Sequence, residues 1–190
     1  MKGPTSLQNQ SVSLAQYDNS WYNPGPKWKI ILWLIVNVLF FNNGLAIFNS
    51  LKCWLLRLFG AKVGKNVMIK PLVNIKYPWF LIIGDSVWIG ENVWIDNLGS
   101  VTIGDNVCIS QGALLLSGNH NYKKRFFDLM IGEITLEDGV WIGAKATVCG
   151  GVTCKTHSVL SVSSVASTDL EAFGIYQGVP AEKIRIRTII

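Results

Sequence analysis

Few side chains in this 190-residue sequence can do acid–base or nucleophilic chemistry near neutral pH. They are two histidines, His120 and His157, and four cysteines, Cys53, Cys108, Cys149 and Cys154. The cysteines form no Cys-x-x-Cys pair, and two histidines cannot complete a Cys/His zinc pattern with them, so no metal site is expected. Each cysteine reads as a small buried hydrophobe in a reducing compartment. His157, in "CKTHSV", falls within a regular repeat and reads as an outward corner residue. His120 sits in "LLLSGNHNYKKRFFDLM", which interrupts that repeat. A neutral imidazole can accept a proton near neutral pH, which makes His120 the candidate for acid–base chemistry.

The elements that must position His120 are legible from the repeat. From Val63 onward a six-residue period runs through "VGKNVM", "IGDSVW IGENVW" and "IGDNVC ISQGAL", and it resumes after Met130 in "LEDGVW IGAKAT VCGGVT". Its first positions, the anchors, are Val63, Ile69, Ile75, Ile83, Ile89, Ile95, Ile103, Ile109, Leu115, Leu136, Ile142, Val148, Cys154, Leu160 and Ala166. A helix would set every sixth residue on a drifting face, and a flat strand alternates every two. A period of six suits a solenoid in which each hexapeptide is one short strand plus a corner, three to a coil. The anchor and the small fifth residue point inward, and the Gly that often follows the anchor relieves the bend. No single coil hides its core alone, so stability comes from stacking.

Equivalent anchors locate the irregularities. Val63 to Ile83 and Ile83 to Ile103 are each 20 residues, Ile103 to Leu136 is 33, and Leu136 to Cys154 is 18. Each excess falls in the third hexapeptide of its coil, so the insertions line up on one edge and the last becomes an arm. Loops on a rigid scaffold are where function sits. His120 opens this arm, flanked by Asn119 and Asn121, and Asp96 and Asn97 lie on the same edge one coil earlier. These four are the candidate substrate-binding residues. Lys123–Arg125 and Phe126–Met130 would form a basic and apolar flap for a neighbouring subunit or the substrates.

Residues Val63 to Arg187 resemble the hexapeptide-repeat acyltransferases. "SGNHNY" is similar to the family's histidine at the base of a protruding loop, and "IDNLGSVTIGDNVCISQGA" resembles the colanic-acid-biosynthesis O-acetyltransferases. The resemblance implies an all-β solenoid, specifically a left-handed parallel β-helix with an N-terminal helical segment and a protruding loop. The hand is implied by the resemblance alone. It also implies acetyl transfer from acetyl-CoA to a sugar hydroxyl, a homotrimer with sites between subunits, and His120 as general base. Members are expected to carry Asp after the histidine, where this sequence has Asn121. By motif match, Trp141, Ala144, Ser161, Val162, Lys183 and Arg185 would meet CoA. Gly178-Val-Pro-Ala181 resembles the family's closing turn.

The net charge of +5 suits an anionic partner, but no nucleic-acid module is visible, so none is expected. The expected organisation is a polar segment 1–26, a helical segment 27–60, the β-helix 61–172 with its insertion 117–134, and a closing segment 173–190. The first 26 residues lack the basic start and apolar run of a secretory signal. "IILWLIVNVLFF" is only 12 residues and is broken by "NNG", too short to span a bilayer. Leu51, Trp54, Leu55 and Leu58 recur at helical spacing as an amphipathic stripe. Residues 28–59 read either as helices packed on the body or a neighbouring subunit, or as a hairpin lying on a membrane. The expected location is cytoplasmic, with the inner membrane face for a lipid-linked saccharide acceptor. Another small acceptor, an amino sugar or antibiotic, and a non-enzymatic scaffold are the other readings.

Overall fold

The computed structural model describes residues 11–190, so the start of the polar segment 1–26 lies outside the described residues. Two helices, α1 (Lys27–Phe40) and α2 (Asn49–Leu58), precede a parallel solenoid. Its first coil is β1 (Lys62–Val63), β2 (Met68–Ile69) and β3 (Asn74–Ile75), and its second is β4 (Leu81–Ile83), β5 (Trp88–Ile89) and β6 (Trp94–Asp96). The third is β7 (Val101–Ile103), β8 (Cys108–Ile109) and β9 (Leu114–Leu116). From it springs a two-stranded arm, β10 (Gly118–His120) and β11 (Leu129–Ile131). The fourth coil is β12 (Ile134–Leu136), β13 (Trp141–Ile142) and β14 (Thr147–Cys149), and the fifth is β15 (Thr153–Cys154), β16 (Val159–Leu160) and β17 (Val165–Ala166). An antiparallel pair, β18 (Gly174–Gln177) and β19 (Glu182–Ile186), closes the second side.

The hydrophobic period sets this stack directly. Anchors pair with anchors: Ile83 with Ile103, Ile103 with Leu136 and Leu136 with Cys154 on the first side, and Ile95 with Leu115 and Leu115 with Val148 on the third. Every anchor except Val63 is buried, as are fifth-position residues such as Val87, Val107, Ala146 and Ser158. Each buried Ile or Leu contributes roughly 1.5–3 kcal/mol, summed along one continuous column.

The glycines after the anchors serve a different purpose from the expected one. Positive φ falls at the fourth position of the hexapeptide, in Asn66, Ser86, Asn106, Lys145 and His157 among others, so that residue makes the corner. A Cβ on Gly84 would lie 2.8 Å from the carbonyl carbon of Gly104 in the next coil. These glycines let consecutive coils stack backbone on backbone.

The helices stop the open end of the first coil, whose edge would otherwise present unpaired backbone groups. Trp33 Nε1 donates to the Ile75 carbonyl at 2.7 Å, and Asn37 Oδ1 accepts the Ile75 N–H at 3.3 Å. From α2, Asn49 accepts the Ile69 N–H (2.7 Å), Lys52 Nζ donates to the Ile69 and Lys70 carbonyls (3.1 and 2.8 Å), and Arg57 donates to Val63 and Gly64. The amphipathic helix read here is α2, and most of its apolar stripe faces outward. Of the stripe, only Leu55 is buried. Cys53, Leu56 and even Lys52 join it inside, while Leu51, Trp54 and Leu58 face outward. The polar side chains are drawn in because the coil's end offers carbonyls and N–H groups. Among the described residues no helix is long and apolar enough to cross a membrane.

Candidate active site

The arm leaves the solenoid at the corner between the third side and the next first side. Its strands pair Gly118 with Ile131, Asn119 with Met130 and His120 with Leu129. Its root is tight: a Cβ on Gly132 would lie 2.3 Å from the Gly151 nitrogen, backbone against backbone.

His120 is half-buried and held on three sides. Its ring stacks on Phe127, with centroids 4.5 Å apart and an interplanar angle of 11°. Tyr17 meets it edge-on at 5.5 Å. Nδ1 lies 2.9 Å from the Phe127 carbonyl oxygen. A carbonyl oxygen can only accept, so in the neutral ring Nδ1 carries the proton and Nε2 is left with the lone pair. Phe127 can aim its carbonyl there because it adopts a left-handed conformation, φ 54°. A backbone carbonyl therefore orients the ring, while Asn121 turns its Oδ1 to the Lys123 N–H.

Asn119, Asn121, Tyr122, Lys123 and Met130 line one cavity of about 310 Å³ with His120. Asn119 Oδ1 accepts the His120 N–H (2.7 Å) and Asn121 Oδ1 accepts the Lys123 N–H (3.1 Å), so both asparagines also shape the arm. Asp96 and Asn97 are placed differently. Asn97 is fully buried, with both ends of its amide bonded to the Tyr77 backbone (3.0 and 2.6 Å), and it braces the bulge between the first two coils. Asp96 is buried in an ion pair with Lys76 (2.9 Å) and lines a separate cavity beside α1.

Five of the six residues expected to meet CoA come together. Trp141, Ala144, Ser161, Val162 and Arg185 line one groove of about 560 Å³ on the second side and the corner after it. Lys183 lies outside this lining and pairs with Glu171. The sequence reading missed Ser110, whose hydroxyl receives the Trp141 indole N–H at 2.9 Å and fixes the ring on the groove wall. It also missed Arg187, which lines the groove and ties to the Gly139 and His157 carbonyls. Ser110 follows the buried anchor Ile109, a signal available from the register.

Exposed Trp141 and Val162 offer an apolar wall for a chain, and Arg185 offers a cation for phosphate. The cysteines are not poised as nucleophiles: burial raises all four thiols, Cys154 to about 12. The groove and the His120 cavity share no lining residue, and the whole third side of the solenoid lies between them.

A parallel solenoid of hexapeptides, a histidine arm and a groove along one side together define a class, and comparison with known proteins agrees. The chain belongs to the hexapeptide-repeat acetyltransferases, the left-handed β-helix acyltransferases. It is 36% identical over 159 residues to the putative colanic acid biosynthesis acetyltransferase WcaF of Escherichia coli (strain K12), covering 84% of this chain and 87% of that protein. It is 31% identical over 128 residues to the galactoside O-acetyltransferase of the same organism, covering 66% and 63% of the two chains. Among solved structures, galactoside acetyltransferase in complex with coenzyme A superposes with a TM-score of 0.75 at 26% identity, covering 84% of this chain and 80% of that one. The acetyltransferase VCA0836 of Vibrio cholerae, complexed with acetyl coenzyme A, gives 0.76 at 21% identity over 84% and 87%, a likeness of fold. No protein-family model matches the chain.

Proposed function

We propose that this protein is an acetyl-CoA-dependent O-acetyltransferase acting on a sugar hydroxyl of a surface polysaccharide or its lipid-linked precursor, with His120 as general base. The observation that carries the reading is the 2.9 Å contact between His120 Nδ1 and the Phe127 carbonyl, which leaves Nε2 free to accept a proton. Its relatives include a galactoside O-acetyltransferase and a putative colanic acid biosynthesis acetyltransferase, which favours a saccharide acceptor over an antibiotic.

In this mechanism the acceptor hydroxyl gives its proton to Nε2 as its oxygen attacks the thioester carbonyl. The tetrahedral intermediate then collapses, the C–S bond breaks, and the imidazolium returns the proton to the departing thiolate. No enzyme-bound acyl group is required, in keeping with four poorly acidic thiols. Trp141 and Val162 would flank the pantetheine arm and Arg185 would meet a phosphate, while Asn119 and Asn121 would contact the acceptor. We place the reaction in the cytoplasm, where acetyl-CoA is available.

One chain cannot complete the site, because the groove and His120 are separated by the third side of the same solenoid. A closed ring of identical subunits resolves this, each lending its arm to its neighbour's groove, and we propose a homotrimer. The test is complementation. A His120→Ala subunit and a Ser161→Tyr subunit with a blocked groove are each inactive alone. Co-expressed, they should regain about a quarter of wild-type activity, the statistical share of interfaces pairing a sound arm with a sound groove. No recovery would sink the shared site. Unchanged thiol release by His120→Ala alone would sink the catalytic assignment.

A further inference from the structure

Between Asp18 and Asp85 the chain has no carboxylate side chain, yet it has eight cations: Lys27, Lys29, Lys52, Arg57, Lys62, Lys65, Lys70 and Lys76. This acid-free stretch is the helical cap and the first coil, one end of the solenoid. Lys52 is buried and Lys76 is paired with Asp96, but Lys27, Arg57, Lys62, Lys65 and Lys70 are exposed, and among the described residues none of the five forms an ion pair.

The same end carries large apolar side chains in water. On α1, Trp28, Ile31, Ile35 and Val38 recur at helical spacing and are 68%, 59%, 51% and 51% exposed. On α2, Trp54 and Leu58 are 55% and 62% exposed. The helices spend their polar side chains on the open backbone edge of the first coil. Those hydrogen bonds run along the solenoid axis, so the apolar faces turn away from the coil at its end. Surface apolar groups normally occur singly, and a concentration of this kind marks an interaction surface.

We propose that this capped end is a docking surface for an anionic lipid bilayer, on which α1 and α2 lie in the plane of the interface. At 14 residues α1 is about 21 Å long, short of the ~30 Å hydrocarbon core, so it cannot span. Trp28 and Trp54 are the residue type that settles at headgroup depth, beside cations that meet lipid phosphates. Charge decides against a second copy of the chain end to end. Such a contact would set exposed lysines against lysines with no carboxylate to pair them.

The surface follows from the cap alone and does not depend on acetyl transfer. It draws only its valency from the trimer proposed above. A threefold axis turns equivalent ends of its solenoids to the same side, giving three docking faces on one plane.

The test is flotation of the full-length protein with vesicles of phosphatidylcholine holding about 30% phosphatidylglycerol, compared with pure phosphatidylcholine. Binding to the anionic vesicles should be at least about tenfold tighter and should weaken as salt screens the lysines. Ile31→Glu with Ile35→Glu should abolish binding while thermal stability and CoA affinity stay unchanged, since both side chains are exposed. Lys62→Gln, Lys65→Gln and Lys70→Gln together should remove the preference for phosphatidylglycerol. Wild-type protein that stays with the soluble fraction, or a double glutamate variant that floats as wild type does, overturns the proposal. So does mass growth in solution that the glutamates abolish without any vesicle binding, because a second copy would then cover the face.

Discussion

The rings of His120 and Phe127 lie face to face, 4.5 Å between centroids, and the same Phe127 supplies the carbonyl that receives Nδ1 at 2.9 Å. One residue thus sets both the plane and the tautomer of the imidazole, and its side-chain and backbone roles can be separated. Phe127→Ala keeps the carbonyl and loses the stack, so kcat should fall about tenfold with the KM for acetyl-CoA unchanged. Proline cannot adopt φ 54°, so Phe127→Pro should misdirect the carbonyl and approach the 10²- to 10⁴-fold loss expected of His120→Ala. Equal kcat values for the alanine and proline variants would mean that the carbonyl contributes nothing.

Arg185 lines the groove, whereas Lys183, two residues away on β19, is engaged with Glu171. Arg185→Ala should therefore raise the KM for acetyl-CoA about tenfold, while Lys183→Ala should change it less than about twofold. Steady-state kinetics with acetyl-CoA varied at saturating acceptor makes the comparison. Trp141→Ala should weaken CoA with little effect on kcat, read by calorimetry.

Lys52 is buried under the first coil, and desolvation lowers its pKa from 10.5 to about 8. Between those values the unfolded chain holds the proton and the folded one has released it. The unfolded state then binds more protons, so this group makes stability rise as pH climbs from about 8 towards 10.5. Thermal unfolding of wild type and Lys52→Met across that window checks it. The difference between the two should shift in favour of wild type as pH increases, and a constant difference would rule the linkage out.

Gly132 carries the arm's return strand across Gly150 and Gly151 with no room for a Cβ. Both sides of that contact are backbone, so Gly132→Ala should cost about 1–3 kcal/mol of stability. Because the displacement is at the arm's root, kcat should also fall while CoA affinity in the groove is retained. Denaturant titration and CoA calorimetry on the same preparation separate the two effects.

The coil register, the edge on which length accumulates and the arm were all legible, because anchors such as Ile103 and Leu136 are held by burial and their spacing counts the residues between. The groove's members, Ala144 and Val162 among them, were named through the family resemblance, and the register alone did not single them out. What orients His120 was not, because a backbone carbonyl leaves no mark in residue types and Phe is not a residue that advertises positive φ. Tyr17 was invisible for another reason: it reaches His120 across more than a hundred residues of sequence. Asn97 misled because its amide satisfies buried backbone, which periodicity reads as surface.

Whole-coil stacking also makes the solenoid a ruler. His120 leaves the third coil above a fixed base at the capped end, and each coil adds a strand spacing of ~4.8 Å to that height. Inserting or deleting one complete coil below the arm would raise or lower the reacting atoms by that step without turning them. Changing the chain by a single hexapeptide would instead swing the arm to another side of the solenoid. Drift in chain length is therefore tolerated here in units of a coil, or on the one edge where the bulges already lie.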